Sequence, residues 1–122
     1  MIKRIHHMPV YVGDFEGNLK FFTDVMKFPI VGTPVDENVH IRFLKVGSDL
    51  IELMDANQFD RPCQTALLVD DLNKEIETLK KKGMKFGEIE EFKMKEGKLN
   101  FIFFKKFDEG WMELVERVNW NP

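Results

Sequence analysis

Met26-Lys27-Phe28 and Met84-Lys85-Phe86 are the same tripeptide, 58 residues apart, and their reading decides the fold. Three letters coincide easily by chance. Two further pairs keep the same order: Val12-Gly13-Asp14 stands 57 residues before Val69-Asp70-Asp71, and Ile51-Glu52-Leu53 stands 61 before Met112-Glu113-Leu114. Three markers at a nearly constant offset read as a duplicated unit rather than an ordinary α+β domain with chance similarity.

Around the first copy, residues 5–12 read as a strand. Pro9 inside it lacks a ladder donor, which predicts an edge position or an outward-facing gap. Asp14 is placed to cap a helix, and Phe15, Leu19, Phe22 and Met26 recur at helical spacing on one face. Gly17 weakens that helix by about 1 kcal/mol. Three short apolar runs follow at 29–31, 39–44 and 50–54. Asp36-Glu37-Asn38 and Gly47-Ser48-Asp49 part them with hairpin chemistry. The second copy repeats the order. A strand at 65–69 leads to a cap at Asp70-Asp71 and a helix face of Leu72, Ile76 and Leu79. Lys80-Lys81-Lys82-Gly83 ends that helix with cations at the negative end of its dipole and glycine at the exit. Strands at 86–92, 99–104 and 111–115 follow, with turns at Gly97 and Asp108-Glu109-Gly110. The expected fold is α+β, one domain over 1–122 built of tandem βαβββ modules, 1–57 and 63–118, joined through a polar linker at 56–62.

The composition agrees. A chain of 122 residues is one domain and buries roughly two thirds of its unfolded surface. Hydrophobic residues at 43%, with 12 Phe, fill a real core and exclude a disordered chain. Lys plus Arg is 18 against 21 Asp plus Glu, so no basic excess exists to displace counterions, and nucleic acid is excluded as the main partner. No apolar run approaches the length of a membrane helix, and no apolar segment of a signal peptide follows the charged N-terminus. Cys63, the only cysteine, cannot form an internal disulfide. A soluble, cytoplasmic protein with no membrane partner is expected.

Equivalent places in the two copies carry the chemistry. His7 stands seven residues before Asp14 and Gln64 seven before Asp71, while Glu52 and Glu113 sit in the last strand of each copy. Strand alternation points both glutamates away from their apolar neighbours. Taken singly, each is the solvent half of that alternation, His7 is a surface histidine, and Gln64 says nothing. Taken together, one imidazole, one amide oxygen and two carboxylates converge if the halves pair about a pseudo-twofold axis. That mixed set suits Zn, Ni, Co, Mn or Fe(II), with waters completing an octahedron. His6 has the wrong parity if His7 faces inward, and His40 has no counterpart. Cys63 beside Gln64 is a candidate thiolate, though a lone cysteine more often behaves as a small apolar residue. No phosphate loop, dinucleotide fingerprint, C-x-x-C or H-E-x-x-H is present.

His7-Met8-Pro9-Val10-Tyr11-Val12-Gly13-Asp14 followed by Phe21-Phe22-Thr23-Asp24-Val25-Met26 resembles the opening of the glyoxalase/bleomycin-resistance/dioxygenase group, the vicinal oxygen chelate superfamily. Ile51-Glu52-Leu53-Met54, Leu68-Val69-Asp70-Asp71-Leu72 and Trp111-Met112-Glu113-Leu114-Val115-Glu116 look like its later markers, so the resemblance covers nearly the whole chain. It implies cupped mixed sheets around a cleft, a homodimer, and a divalent metal held by His7, Glu52, Gln64 and Glu113. Within the group the chain is most similar to glyoxalase I (lactoylglutathione lyase)-like proteins. Glyoxalase I and the methylmalonyl-CoA epimerases place a histidine where Gln64 stands, and a neutral amide oxygen is the weaker ligand. Glu52 favours the glyoxalase-like members, since the epimerases tend to carry glutamine there. Tyr11 and Ala56 replace an arginine and an asparagine expected of a glutathione-dependent enzyme, which counts against a thiol cofactor. The implied activity is a metal-dependent lyase or isomerase acting on a small α-oxygenated substrate of the hemithioacetal type. The metal acts as a Lewis acid on the developing enediolate, Glu113 moves the proton between adjacent carbons, and Glu52 holds the metal and shares the base role. The alternative is a metal-free protein that binds a small aromatic or antibiotic-like molecule. An extradiol dioxygenase wants two histidines, and only His7 aligns.

Overall fold

Both copies of the repeat build a strand–helix–strand–strand–strand unit. In the computed structural model, which describes residues 1–59, 65–105 and 110–122, the first comprises β1 (Ile2–Val12), α1 (Phe15–Lys20), β2 (Ile30–Gly32), β3 (Ile41–Val46) and β4 (Asp49–Asp55). The second comprises β5 (Ala66–Val69), α2 (Leu72–Lys80), β6 (Glu90–Lys93), β7 (Lys98–Lys105) and β8 (Trp111–Val118). All eight strands form one sheet in the order β2-β3-β4-β1-β5-β8-β7-β6, so the two halves mirror each other across the antiparallel β1–β5 pair. Within each half the first and last strands pair in parallel, β1 with β4 and β5 with β8.

The caps are where the sequence puts them. Asp14 Oδ1 accepts the Gly17 N–H at 3.0 Å and Asp71 Oδ1 accepts the Lys74 N–H at 3.1 Å. A Cβ on Gly17 would collide with the Asp14 carboxylate, so the glycine that weakens the helix also admits its cap. Gly83 takes the left-handed conformation, φ +92°, that ends α2. One helix expectation fails. Met26 is 46% exposed instead of completing the face begun at Phe15, because a π-helical turn, Phe21–Val25, continues α1 and rotates the next residues away from the sheet. Of the two places open to Pro9, the edge position does not hold, since β1 is central, and the missing donor faces a side without a ladder partner. The strand changes partners along its length: residues 2–7 pair with β5 and residues 8–12 with β4. Pro9 thus lies where only one neighbour demands a ladder.

Three apolar layers result. The inner face of the sheet buries Ile41, Phe43, Met54, Leu99, Val115 and Trp120 among others. On the outer face, α1 covers Leu44 and Leu53 through Phe15, and α2 covers Val69, Ile102 and Leu114 through Leu72 and Ile76. The sheet curls until its two end strands meet. Pro34 bridges Met94, the Val35 N–H donates to Lys93 O at 3.1 Å, and the Lys95 N–H donates to Thr33 O at 2.9 Å. Glu96 clasps Thr33 by its backbone N–H at 2.7 Å and its hydroxyl at 3.0 Å. Trp120, swung inward after Asn119 at φ +52°, donates its indole N–H to Val31 O at 2.9 Å and plugs this seam from within.

Candidate active site

Parity and register bring the predicted carboxylates inside. Glu52 lies between Pro9 of β1 and Phe43 of β3, and Glu113 between Ala66 of β5 and Phe103 of β7. The two positions are equivalent in the mirrored halves. His7 Nε2 stands 3.2 Å from Glu52 Oε1 and 3.5 Å from Glu113 Oε1. His7 is 2% exposed and Glu113 6%, so this is an interior constellation and not a surface ion pair. Both glutamates line a cavity of about 420 Å³ whose other walls include Tyr11, Phe92, Phe101 and Phe103, with Gln58 and Glu90 as further polar groups. Gln64, Cys63 and most of the Asp108-Glu109-Gly110 turn lie outside the described residues. His40 joins no site: its Nδ1 lies 2.8 Å from Asp55 Oδ2, and its ring stacks on Phe15 at 5.2 Å.

The parity argument against His6 fails. The β1–β5 register slips between Ile5 and His7, and this bulge turns both histidines inward, His6 to 3% exposure. The two rings meet Nδ1 to Nδ1 at 2.7 Å, and the Arg117 Nε–H donates to His6 Nε2 at 3.0 Å. Arg117 had a signal in the sequence, because it stands two strand pairs beyond Glu113 on the same face. The bulge had none.

Electrostatics follow from the burial. The Glu113 carboxyl is pushed up to about 8: burial raises it, the His7 charge pulls it down, and the Glu52 and Glu90 charges raise it again. Burial opposes a charge on His7, but the charge and hydrogen bond of Glu52 and the charge of Glu113 outweigh it, and its pKa is raised. His6 is held neutral, its pKa lowered to about 2 by burial, then by His7, Arg117 and Arg4. Glu113 and His7 both bind protons more tightly in the folded state than in the unfolded chain. The stability they contribute is present at low pH and is lost as pH rises across roughly pH 4.5 to 8. The midpoint of urea unfolding is therefore expected to fall from pH 5 to pH 8.5 and to flatten in Glu113→Gln. A wild-type midpoint that rises over this range contradicts the assignment.

Among the described residues no three His, Cys, Asp or Glu side chains stand as a ready cation cage. The donor set nonetheless fits a divalent ion. Ligands about 2.1 Å from one metal, at right angles, lie about 3 Å apart, close to the two spacings around His7 Nε2. Closing in on an ion requires the proton at that nitrogen to leave and the three side chains to spread around the space it occupied.

A sequence profile of the Glyoxalase/Bleomycin resistance protein/Dioxygenase superfamily matches residues 4–113. No curated protein matches the chain in sequence. Among solved structures, a methylmalonyl-CoA epimerase from Mycobacterium tuberculosis is similar at 22% identity and TM-score 0.70, over 94% of this chain and 88% of that one. A Streptomyces coelicolor methylmalonyl-CoA epimerase variant, in complex with 2-nitronate-propionyl-CoA, is similar at 17% identity and TM-score 0.75, over 100% and 99%. A glyoxalase/bleomycin resistance protein/dioxygenase superfamily member from Vibrio splendidus 12B01 is similar at 11% and TM-score 0.61, over 97% and 100%. At such identities the likeness is one of fold.

Proposed function

Because the chain belongs to the glyoxalase/bleomycin resistance protein/dioxygenase superfamily, we propose that it is a metal-dependent isomerase or lyase that moves a proton between adjacent carbons of a small α-oxygenated substrate. The observation that carries this reading is the meeting of two strand-borne carboxylates at one buried imidazole on a cavity wall, with Glu113 pushed up to about 8. A carboxylate of ordinary pKa is a poor base toward a carbon-bound proton, and burial makes Glu113 a stronger one near neutral pH. In this reading Glu113 Oε takes the proton from the substrate carbon and returns it to the neighbouring carbon. The pairing of β8 with β5 and β7 holds Glu113 in place, and the wall of Phe92, Phe101 and Phe103 keeps water from the reacting carbon. A divalent ion held by His7, Glu52 and Glu113, with Gln64 as the fourth proposed ligand, would polarise two adjacent substrate oxygens as a Lewis acid. A hemithioacetal of a 2-oxoaldehyde, the glyoxalase I-like substrate, meets this description; an acyl thioester with an acidic α-carbon would use the same base but take its proton back on the same carbon.

The second reading is a metal-free binding protein. The cavity lining favours it: three carboxylates and an aromatic wall face the ligand, and no Lys or Arg does so among the described residues. Elemental mass spectrometry on untagged protein separates the two. The enzyme reading expects about one Ni, Zn, Co, Mn or Fe per site, absent in His7→Ala, and turnover of one of the two probe substrates. Protein that takes up no metal after soaking, yet binds a neutral or cationic aromatic probe, overturns the first reading in favour of the second.

A further inference from the structure

We propose that Arg117 is a positioning residue for His7: acting through His6, it fixes the tautomer of His7 with the proton on Nε2, facing Glu52 and Glu113, and so opposes a metal ion at that nitrogen. The inference rests on the reading of His7 as a ligand only in its last clause.

With His6 and His7 both neutral, the chain of hydrogen bonds admits one arrangement of protons. An arginine Nε–H is always a donor, so His6 Nε2, 3.0 Å away, must accept. A neutral imidazole carries one proton, which leaves His6 with its proton on Nδ1. That N–H points at His7 Nδ1 across 2.7 Å, so His7 Nδ1 must accept in its turn. The His7 proton therefore sits on Nε2, where the two carboxylates receive it at 3.2 and 3.5 Å. Metal binding needs the opposite tautomer. With Nε2 given to an ion, the His7 proton moves to Nδ1 and must be donated to His6 Nδ1. The His6 proton then moves to Nε2, where it confronts the Arg117 donor. One of the two contacts has to break.

The surroundings hold the arrangement in place. His6 is boxed between Trp120, with ring centres 5.6 Å apart, and Phe43 at 6.4 Å, and the Arg117 guanidinium lies over the Trp120 ring at 5.9 Å. His7 is fixed edge-on against Phe43 at 5.2 Å. Neither ring can rotate away without disturbing the plug that closes the sheet. Histidine ligands are ordinarily steadied by a group that accepts their second N–H; here the partner of His7 donates.

The test reads protons first and metal second. Nitrogen-15 imidazole spectra of metal-free wild-type protein are expected to show His7 protonated at Nε2 and His6 at Nδ1; His7 protonated at Nδ1 overturns the proposal without any variant. Zn(II) affinity by calorimetry is then expected to tighten about 10- to 100-fold in Arg117→Met, the factor that one charge-assisted hydrogen bond carries. It should tighten also in His6→Gln, whose amide oxygen can accept from His7 Nδ1. Arg4→Met removes a neighbouring cation that does not touch His6, and it is expected to change affinity less than threefold. Equal tightening in Arg4→Met and Arg117→Met reduces the effect to charge and overturns the relay. Were the protein to turn over neither probe substrate, the imidazole spectra would still decide the relay. A failed relay likewise leaves the proposed enzyme standing.

Discussion

In Glu113→Gln, exchange of the substrate's carbon-bound proton with solvent deuterium is expected to fall by about 10²- to 10⁴-fold, the range general acid–base catalysis supplies. Glutamine is nearly isosteric and keeps an oxygen toward His7 Nε2–H, so the register of β8 with β5 and β7 survives. Removing a carboxyl that burial already disfavours in its charged form does not unfold the protein, and urea unfolding at pH 8 should show equal or higher stability than wild type. Glu52→Gln makes the sharper comparison. It occupies the equivalent place in the other half, so a common loss in both variants would spread the base role over the pair. Full exchange activity in a folded Glu113→Gln protein removes Glu113 from the mechanism.

Trp120→Ala is expected to cost about 3–5 kcal/mol of stability, among the largest effects a single truncation here can have. The indole is 3% exposed, fills the inner core against Phe43 at 5.0 Å, and gives Val31 O its donor across the seam. Gly97 shows how closely the plug is fitted: a Cβ there would come within 2.5 Å of Trp120 Cβ and 2.6 Å of Asn119 O. Truncation leaves a cavity beside His6 and strips Arg117 of the ring beneath it. Chemical unfolding measures the loss, and a cost under about 1 kcal/mol would show that the hydrogen-bonded clasp of Thr33 and Glu96 closes the sheet unaided.

The features legible in the sequence and those hidden from it divide along local and non-local lines. The repeated markers place both helices, both caps and the two inward glutamates, because caps, alternation and periodicity are written within a few residues. His6 escapes the parity rule because a bulge adds a residue to one strand without leaving a mark in its letters. Met26 departs from its expected face for a related reason, a π turn breaking the 3.6-residue period. Pro9 reads as either an edge residue or an outward gap, because its strand's change of partners, which decides between them, depends on two other strands. The closure of the sheet through Trp120, 89 residues from the carbonyl it meets, has no local signature at all.

That separation has a kinetic side. At about 5–20 residues per second on the ribosome, Val31 precedes Trp120 by roughly 4 to 18 s. For that interval the Val31 carbonyl of β2 lacks its indole donor, although β3 already pairs the strand on its other side. Pairings this remote along the chain also slow the search once synthesis ends, since loop closure comes before any contact rewards it. A chain halted before Trp120 would lack the indole that plugs the seam from within and would rely for closure on the Thr33–Glu96 clasp and the hydrogen bonds of residues 33–35 with 93–95.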